Sequence, residues 1–236
     1  MVYVGGKKKI HKDIVNILQT EINHNSYESY IEPFVGGANI IEHIKDINKI
    51  GYDINEELIE FWKALQNGWQ MPKPNSFNAE HYNEVKISYK RQDNKYPKYY
   101  YGYMMTVPSY NGRIWGSFAK DGKRPYQKEH YDNVLQQING IKDVLFDVKD
   151  YKNIKVSNCI LYCDPPYKDS KKDYYNCNFN SNDFWDWAYE ISKNNKIYIS
   201  ETKAPEFAKI VWSQPYKRTL ANQTKSIDTI EKLYTI

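Results

Sequence analysis

Apolar residues recur at helical spacing at Ile10, Ile14, Ile17, Leu18 and Ile22, which predicts an amphipathic helix over about 8–22. A strand is expected at Ser29–Phe34, then a glycine turn and a helix carrying Ile40, Ile41 and Ile44. Lys49–Asp53 reads as a second strand, and Asn55–Asn67 as a helix beginning beside an Asn cap. The composition changes at Met71-Pro72-Lys73-Pro74, which marks a boundary. Beyond it, residues 72–140 are polar, basic and aromatic, with helices expected at 79–92 and 127–139. Between those helices, Tyr110-Asn111-Gly112-Arg113 offers the turn of a hairpin. Strand character returns at Val144–Val148 and strongly at Cys159–Cys163. A loop rich in Lys, Asp and Tyr spans 168–180, followed by a helix with Phe184, Trp187, Ala188 and Ile191. Lys196–Ser200 reads as a further strand, and Ile230–Ile236 as the end of the sheet. Strands alternating with helices predict an α/β fold with a mostly parallel sheet, interrupted by the insertion. Ligands gather beyond the carboxyl ends of the strands in such sheets.

A hydrophobic content of 41% with 26% charge fits a globular chain with a buried core. No apolar run reaches the ~20 residues of a membrane span, so no membrane partner is expected. The basic N-terminal cluster has no apolar stretch behind it, so no secretory signal is expected. Cys159, Cys163 and Cys177 lack metal-ligand spacing and suit reduced thiols in a cytoplasmic protein. The net charge of +4 says little by itself; its distribution says more. Residues 86–130 hold ten Lys/Arg against three acids, together with eight of the 23 tyrosines, Trp115 and Phe118. Cations beside flat aromatic faces suit a phosphate backbone and unstacked bases, and equally suit a solvated basic face over an aromatic core.

Three motifs fall at strand ends. Glu32-Pro33-Phe34-Val35-Gly36-Gly37-Ala38-Asn39 lies at a strand-to-helix turn, where paired glycines let backbone approach a ligand closely. Asp53 follows at the end of the next strand, where an acidic side chain can bind ribose hydroxyls. A helix cap is the plainer role for Asp53, and Asn55 could supply that cap instead. The third motif is Asp164-Pro165-Pro166-Tyr167 after a buried strand. Two prolines stiffen the turn and remove two backbone donors, leaving carbonyl acceptors. Asp164 and the Pro165 carbonyl could accept both N–H groups of an exocyclic amine, with Tyr167 stacking on the base. Adenine N6 is a poor nucleophile, and acceptors favouring a tetrahedral nitrogen would aim its lone pair at an incoming methyl group.

Together these motifs resemble the Dam-type (D12 class) family of DNA adenine-N6 methyltransferases. Tyr3-Val4-Gly5-Gly6-Lys7, Glu32–Gly37, Asp53-Ile54-Asn55, Asp150-Tyr151 and Asp164–Tyr167 carry the resemblance over nearly the whole chain. It implies a Rossmann-like methyltransferase sheet with helices on both faces, formed by residues 1–70 and 141–236. Residues 71–140 would form an inserted helical and hairpin target-recognition subdomain. It implies S-adenosylmethionine as cofactor, held by Tyr3, Gly6, Lys7, Glu32, Pro33, Phe34, Gly36, Gly37, Ala38 and Asn39. Asp53 and Ile54 would serve its ribose side, Asp150 and Tyr151 its adenine, and Asp164 would border both cofactor and target. Catalysis would rest on Asp164, Pro165, Pro166 and Tyr167, with no metal. Double-stranded DNA would be the partner, contacted by Tyr110, Asn111, Arg113, Trp115, Lys123 and Arg124, and a cognate restriction endonuclease could accompany the enzyme. Two positions depart from the family pattern. Ala38 replaces a third glycine, a change expected to be harmless at the start of a helix. The Arg-Tyr-Asn expected beyond Tyr110-Asn111-Gly112 is missing, which argues against a GATC target.

The five histidines are scattered without metal spacing, and Trp185 and Trp187 read as core residues. Two other functions fit parts of the pattern. An amino-methylase acting on RNA or on a protein amide would share the Asp-Pro-Pro-aromatic site, although the long basic aromatic insertion favours DNA. A non-enzymatic DNA-binding regulator would have no reason to keep Asp53, Asp164 and Tyr167 together.

Overall fold

The computed structural model describes residues 1–3, 5–122, 124–166, 179–219 and 226–236. Val4, Lys123, Tyr167 and residues 168–178 of the expected loop lie outside the described residues. Among the described residues seven strands form one sheet: β1 (Ser29–Glu32), β2 (Asn48–Asp53), β3 (Val144–Val148), β4 (Ile160–Cys163), β5 (Lys196–Glu201), β6 (Lys209–Thr219) and β7 (Ser226–Thr235). Their order is β3-β2-β1-β4-β5-β7-β6. The first five strands pair in parallel, and β7 runs antiparallel between β5 and β6. This is a Rossmann-like α/β sheet. Its order reverses at β1, which pairs with β2 on one side and β4 on the other. A crevice opens at such a switch point.

Side-chain alternation gives each face its own core. Tyr30, Ile160, Tyr162, Tyr198 and Leu233 pack with α1 (His11–His24) and α2 (Glu56–Gln66). Ile31, Leu161, Cys163, Ile197 and Ile199 pack with Phe184, Trp185 and Ala188 of α6 (Ser181–Ser192). Between α2 and β3 lie α3 (Ala79–Arg91), α4 (Lys98–Thr106) and α5 (Tyr126–Ile141). Their Tyr82, Val85, Tyr101 and Met104 belong to the same apolar cluster as α1 and α2. Helix α4 is buried throughout Tyr101–Thr106, so its last six residues show no amphipathic stripe and periodicity does not announce it. It approaches α2 so closely that a methyl group on Gly102 would lie 2.1 Å from the Glu57 carbonyl oxygen.

Three expectations need correction. The helix expected after the glycine turn is only a 3-10 turn at Ile41–His43. Ala38 adopts φ +53°, a left-handed conformation that cannot continue a right-handed helix, so it does not begin one. The hairpin expected around Tyr110–Arg113 is a 3-10 turn at Tyr110–Gly112 beside a single antiparallel bridge, Ser109 to Phe118. Strand β6, absent from the pattern, contains Pro215 and tolerates it as the outer strand of the sheet.

Candidate active site

Strand β4 is fully buried and delivers Asp164 at its carboxyl end. Pro165 behind it is buried, and Pro166 is half-buried. The Lys7 ammonium donates to Asp164 Oδ1 at 2.7 Å and to the Gly5 carbonyl at 3.2 Å. The lysine side chain is 5% exposed and the aspartate 20%, so a buried cation meets a carboxylate that still faces solvent. Below them the Tyr162 hydroxyl bonds Ser200 Oγ at 2.8 Å, and burial followed by the Asp164 charge raises the Tyr162 pKa.

The glycine turn follows β1 and is held from several sides. The Trp62 indole N–H of α2 donates to the Gly36 carbonyl at 3.0 Å. Gln137 of α5 donates to the carbonyls of Gly37 (3.0 Å) and Ala38 (3.3 Å) and to Glu42 Oε1 (2.9 Å). The Tyr3 ring lies against the turn, 3.0 Å from where a methyl group on Gly36 would sit. A methyl group on Gly37 would lie 2.8 Å from both Tyr3 Cβ and Asn39 Nδ2. Residues 1–3 and 5–7 therefore form a strap that touches the glycine turn through Tyr3 and Asp164 through Lys7. Motif reading did not single out Trp62 or Gln137. The need of a buried indole N–H for an acceptor gave a hint for Trp62; nothing local announces Gln137, whose role depends on distant packing.

Two carboxylates flank the turn. Glu32 ends β1 at 3% exposure, with the Tyr30 hydroxyl donating to Oε1 at 2.7 Å. Burial pushes its pKa up to about 8, against the lowering effects of Tyr30 and the Ile41 amide, and the Asp164 charge raises it further. Asp53 ends β2 and accepts the amides of Gly36 (Oδ2, 3.0 Å) and Asn55 (Oδ1, 3.0 Å). Burial raises its pKa, while those amide bonds oppose the shift. The cap of α2 is Asn55, which accepts the Leu58 amide at 2.9 Å. Asp53 thus joins the glycine turn to β2 and leaves the capping to its neighbour.

An aromatic cluster lies alongside. Asp150 accepts the Lys152 amide at 2.9 Å and so orders the 3-10 turn that starts at Tyr151. The Tyr151 ring is buried among Phe34 (5.3 Å between centroids), Phe184 (5.7 Å) and Trp187 (5.2 Å). Burial, then Asp150 and Asp183, pushes the Tyr151 pKa up to about 12. Its hydroxyl and the Trp187 indole N–H are buried without a hydrogen-bond partner among the described residues. Ile54, beside Asp53, is 49% exposed. An apolar wall with an unused buried hydroxyl and an exposed isoleucine beside a carboxylate suits a flat heterocycle joined to a sugar.

In the insertion, Tyr110 is 39% exposed and meets Tyr126 edge-on at 5.3 Å. Arg124 sits 5.0 Å over Tyr126 and forks onto Glu129, Nε to Oε2 at 2.9 Å and Nη2 to Oε2 at 2.7 Å. Asn111 and Trp115 adopt left-handed φ of +57° and +49°. The Trp115 ring packs inward against Tyr89 (5.2 Å) and Tyr82 (6.0 Å), and Arg113 is half-buried. Lys95, Lys98 and Lys128 pair with Glu84, Glu56 and Asp132. The basic window is therefore partly neutralised, by Glu129 within it and by Glu56, Glu84 and Asp132 outside it.

A sequence profile of D12 class N6 adenine-specific DNA methyltransferases matches residues 3–114, just under half of the chain. That stretch contains the strap, the glycine turn, Asp53 and the first part of the insertion, and it bears out the resemblance. Modification methylase StsI of Streptococcus sanguinis is 22% identical over 214 residues, covering 78% of this chain. The chain spans 30% of that relative's length. Among solved structures, the Thermoplasma acidophilum 1320 protein aligns over 97% of both chains at 12% identity and a TM-score of 0.39. The rRNA methyltransferase aviRa of Streptomyces viridochromogenes aligns over 94% of this chain and 83% of its own, at 7% identity and a TM-score of 0.37.

Proposed function

We propose that this chain, with its D12-class signature over residues 3–114, transfers a methyl group from S-adenosylmethionine to adenine N6 in double-stranded DNA. The observation that carries this reading is the strap, which joins a glycine turn to a proline-stiffened carboxylate: Tyr3 lies on Gly36, and Lys7 pairs with Asp164 at 2.7 Å. The residues fit the cofactor. Gly36 and Gly37 allow close backbone approach, Asp53 offers its remaining lone pairs to ribose hydroxyls, and Ile54, Phe34 and Tyr151 enclose a flat ring. When bound, S-adenosylmethionine supplies an electrophilic methyl group.

The chain's own part is positioning. Lys7 pairs with Asp164 Oδ1 and fixes the carboxylate, which would accept one N–H of the amine. The Pro165 carbonyl would accept the other, because the prolines deny that turn competing donors. With both N–H groups held, the N6 lone pair is free to face the methyl group. Inside a duplex N6 is engaged in pairing, so the target base leaves the stack to reach this site. Tyr167 would stack on it. Residues 71–140 act as the target-recognition part beside a catalytic part formed by 1–70 and 141–236, using Tyr110, Asn111, Arg113 and Arg124 on DNA. The setting would be the cytoplasm of a bacterial cell or a phage-infected host, where the enzyme either accompanies a restriction endonuclease or works alone. Among the described residues no helix is long and apolar enough to cross a membrane.

Expression in a host free of adenine methylation, followed by long-read sequencing, tests this reading. N6-methyladenine at one recurrent sequence is expected, absent with Asp164→Ala. Unmodified host DNA from cells holding the folded protein would refute it.

A further inference from the structure

The recognition turn touches the catalytic strap directly. Gly112, with φ +62°, ends the 3-10 turn that begins at the exposed Tyr110. A methyl group placed on Gly112 would lie 2.2 Å from the Val2 carbonyl oxygen and 2.8 Å from the Tyr3 amide nitrogen. Both neighbours are backbone atoms, so no side chain can swing aside to make room. The other side of this contact is equally committed. Tyr3 carries the ring that covers Gly36, and the Tyr3 carbonyl accepts the Gly6 amide at 2.9 Å. Lys7, next along the strap, holds Asp164.

We propose that Gly112 is a positioning residue through which the insertion sets the strap, and with it Tyr3 on the glycine turn and Lys7 on Asp164. The inference rests on the methyl-transfer reading for its functional meaning, while the mechanical link stands on the contact itself. Occupation of the 109–118 segment by DNA then changes the seating of Lys7 and Tyr3, and occupation of the glycine turn changes the 109–118 segment in return. Coupling of binding is reciprocal by linkage. Gly112 meets the backbone of Val2 and Tyr3, and close-packed protein of this kind transmits strain.

Hydrogen exchange followed by mass spectrometry tests the link. In Gly112→Ala, with or without ligand, amides of residues 1–7 should exchange at least ~10-fold faster than in the unsubstituted chain, because loss of packing lowers local stability. Gly122→Ala, whose added methyl meets nothing within 4 Å, should match the unsubstituted chain. Turnover of Gly112→Ala should fall by about 10-fold or more with a smaller change in KM for DNA, the pattern of a misplaced catalytic group. In the unsubstituted chain, S-adenosylhomocysteine should slow exchange in 109–118 as well as in 1–7. A folded Gly112→Ala with unchanged exchange in 1–7 and unchanged turnover overturns the proposal. If that variant does not fold, the ligand arm decides: protection by S-adenosylhomocysteine confined to 1–7, with 109–118 unaffected, overturns it too. Failure of the chain to bind either the nucleoside or DNA would instead sink the methyl-transfer reading, and exchange in Gly112→Ala would still decide the link.

Discussion

Asp164 and Glu32 end the paired strands β4 and β1, yet their surroundings set them differently. Asp164 keeps solvent contact and an ammonium at 2.7 Å, whereas Glu32 is enclosed, hydrogen-bonded by Tyr30 and pushed up to about pKa 8. Asp164→Ala should lower methyl transfer at least ~10²-fold, the scale for one preorganised group, in a tritium-transfer assay. Asp164→Asn should also be impaired, because its amide can present a donor toward the amine. Glu32 leads to a stability effect of defined sign. Its folded pKa lies above the unfolded value near 4.5, so between about pH 5 and 8 the folded state holds a proton that the unfolded state has lost. Each pH unit in that window then removes about 1.4 kcal/mol of stability. Glu32→Gln keeps an acceptor for Tyr30 and has no charge to bury. Urea unfolding should show it gaining on the unsubstituted chain from pH 5 to 8, with no gain below pH 4. Parallel pH profiles for the two would show that Glu32 ionises in the fold as it does in water.

The glycine turn shows how far local pattern could be followed. Its place after a strand was legible from Glu32–Asn39, and the Asn55 cap from its position before an apolar run. What supports the turn was not, since Trp62 and Gln137 act from helices 26 and 100 residues away in sequence. The same limit explains the misread segments. Ala38 looked like the start of a helix because a preference cannot reveal a left-handed φ imposed by packing. Helix α4 was hidden because burial on every side of Tyr101–Thr106 erases the stripe that periodicity detects, and β6 because its proline and charges suit an edge. The turn itself offers a test: Trp62→Phe retains most of the packing and strands the Gly36 carbonyl in a buried site. A loss of about 1–3 kcal/mol is expected in chemical denaturation. A change below ~0.5 kcal/mol, the range of an inconsequential substitution, would mean that another donor takes over the carbonyl.

Charge is arranged over the molecule in a way that composition could not show. The excess in residues 86–130 is real in sequence, but Arg124, Lys95, Lys98 and Lys128 each lie against an acid. Exposed pairs of this kind contribute little to stability, so their effect is expected on binding. Glu129→Gln releases the Arg124 fork and should tighten binding to all duplexes alike, steepening the log–log salt dependence by up to about 0.9. An unchanged slope would mean that Arg124 stays clear of phosphate. The most direct measurement of the whole account is transfer of label from tritiated S-adenosylmethionine to unmethylated duplex DNA, with the product hydrolysed to nucleosides. The expected result is label in N6-methyldeoxyadenosine alone, abolished by Asp164→Ala in a protein that still binds the cofactor. Label in cytosine, in RNA or in protein, or full transfer by Asp164→Ala, would contradict it.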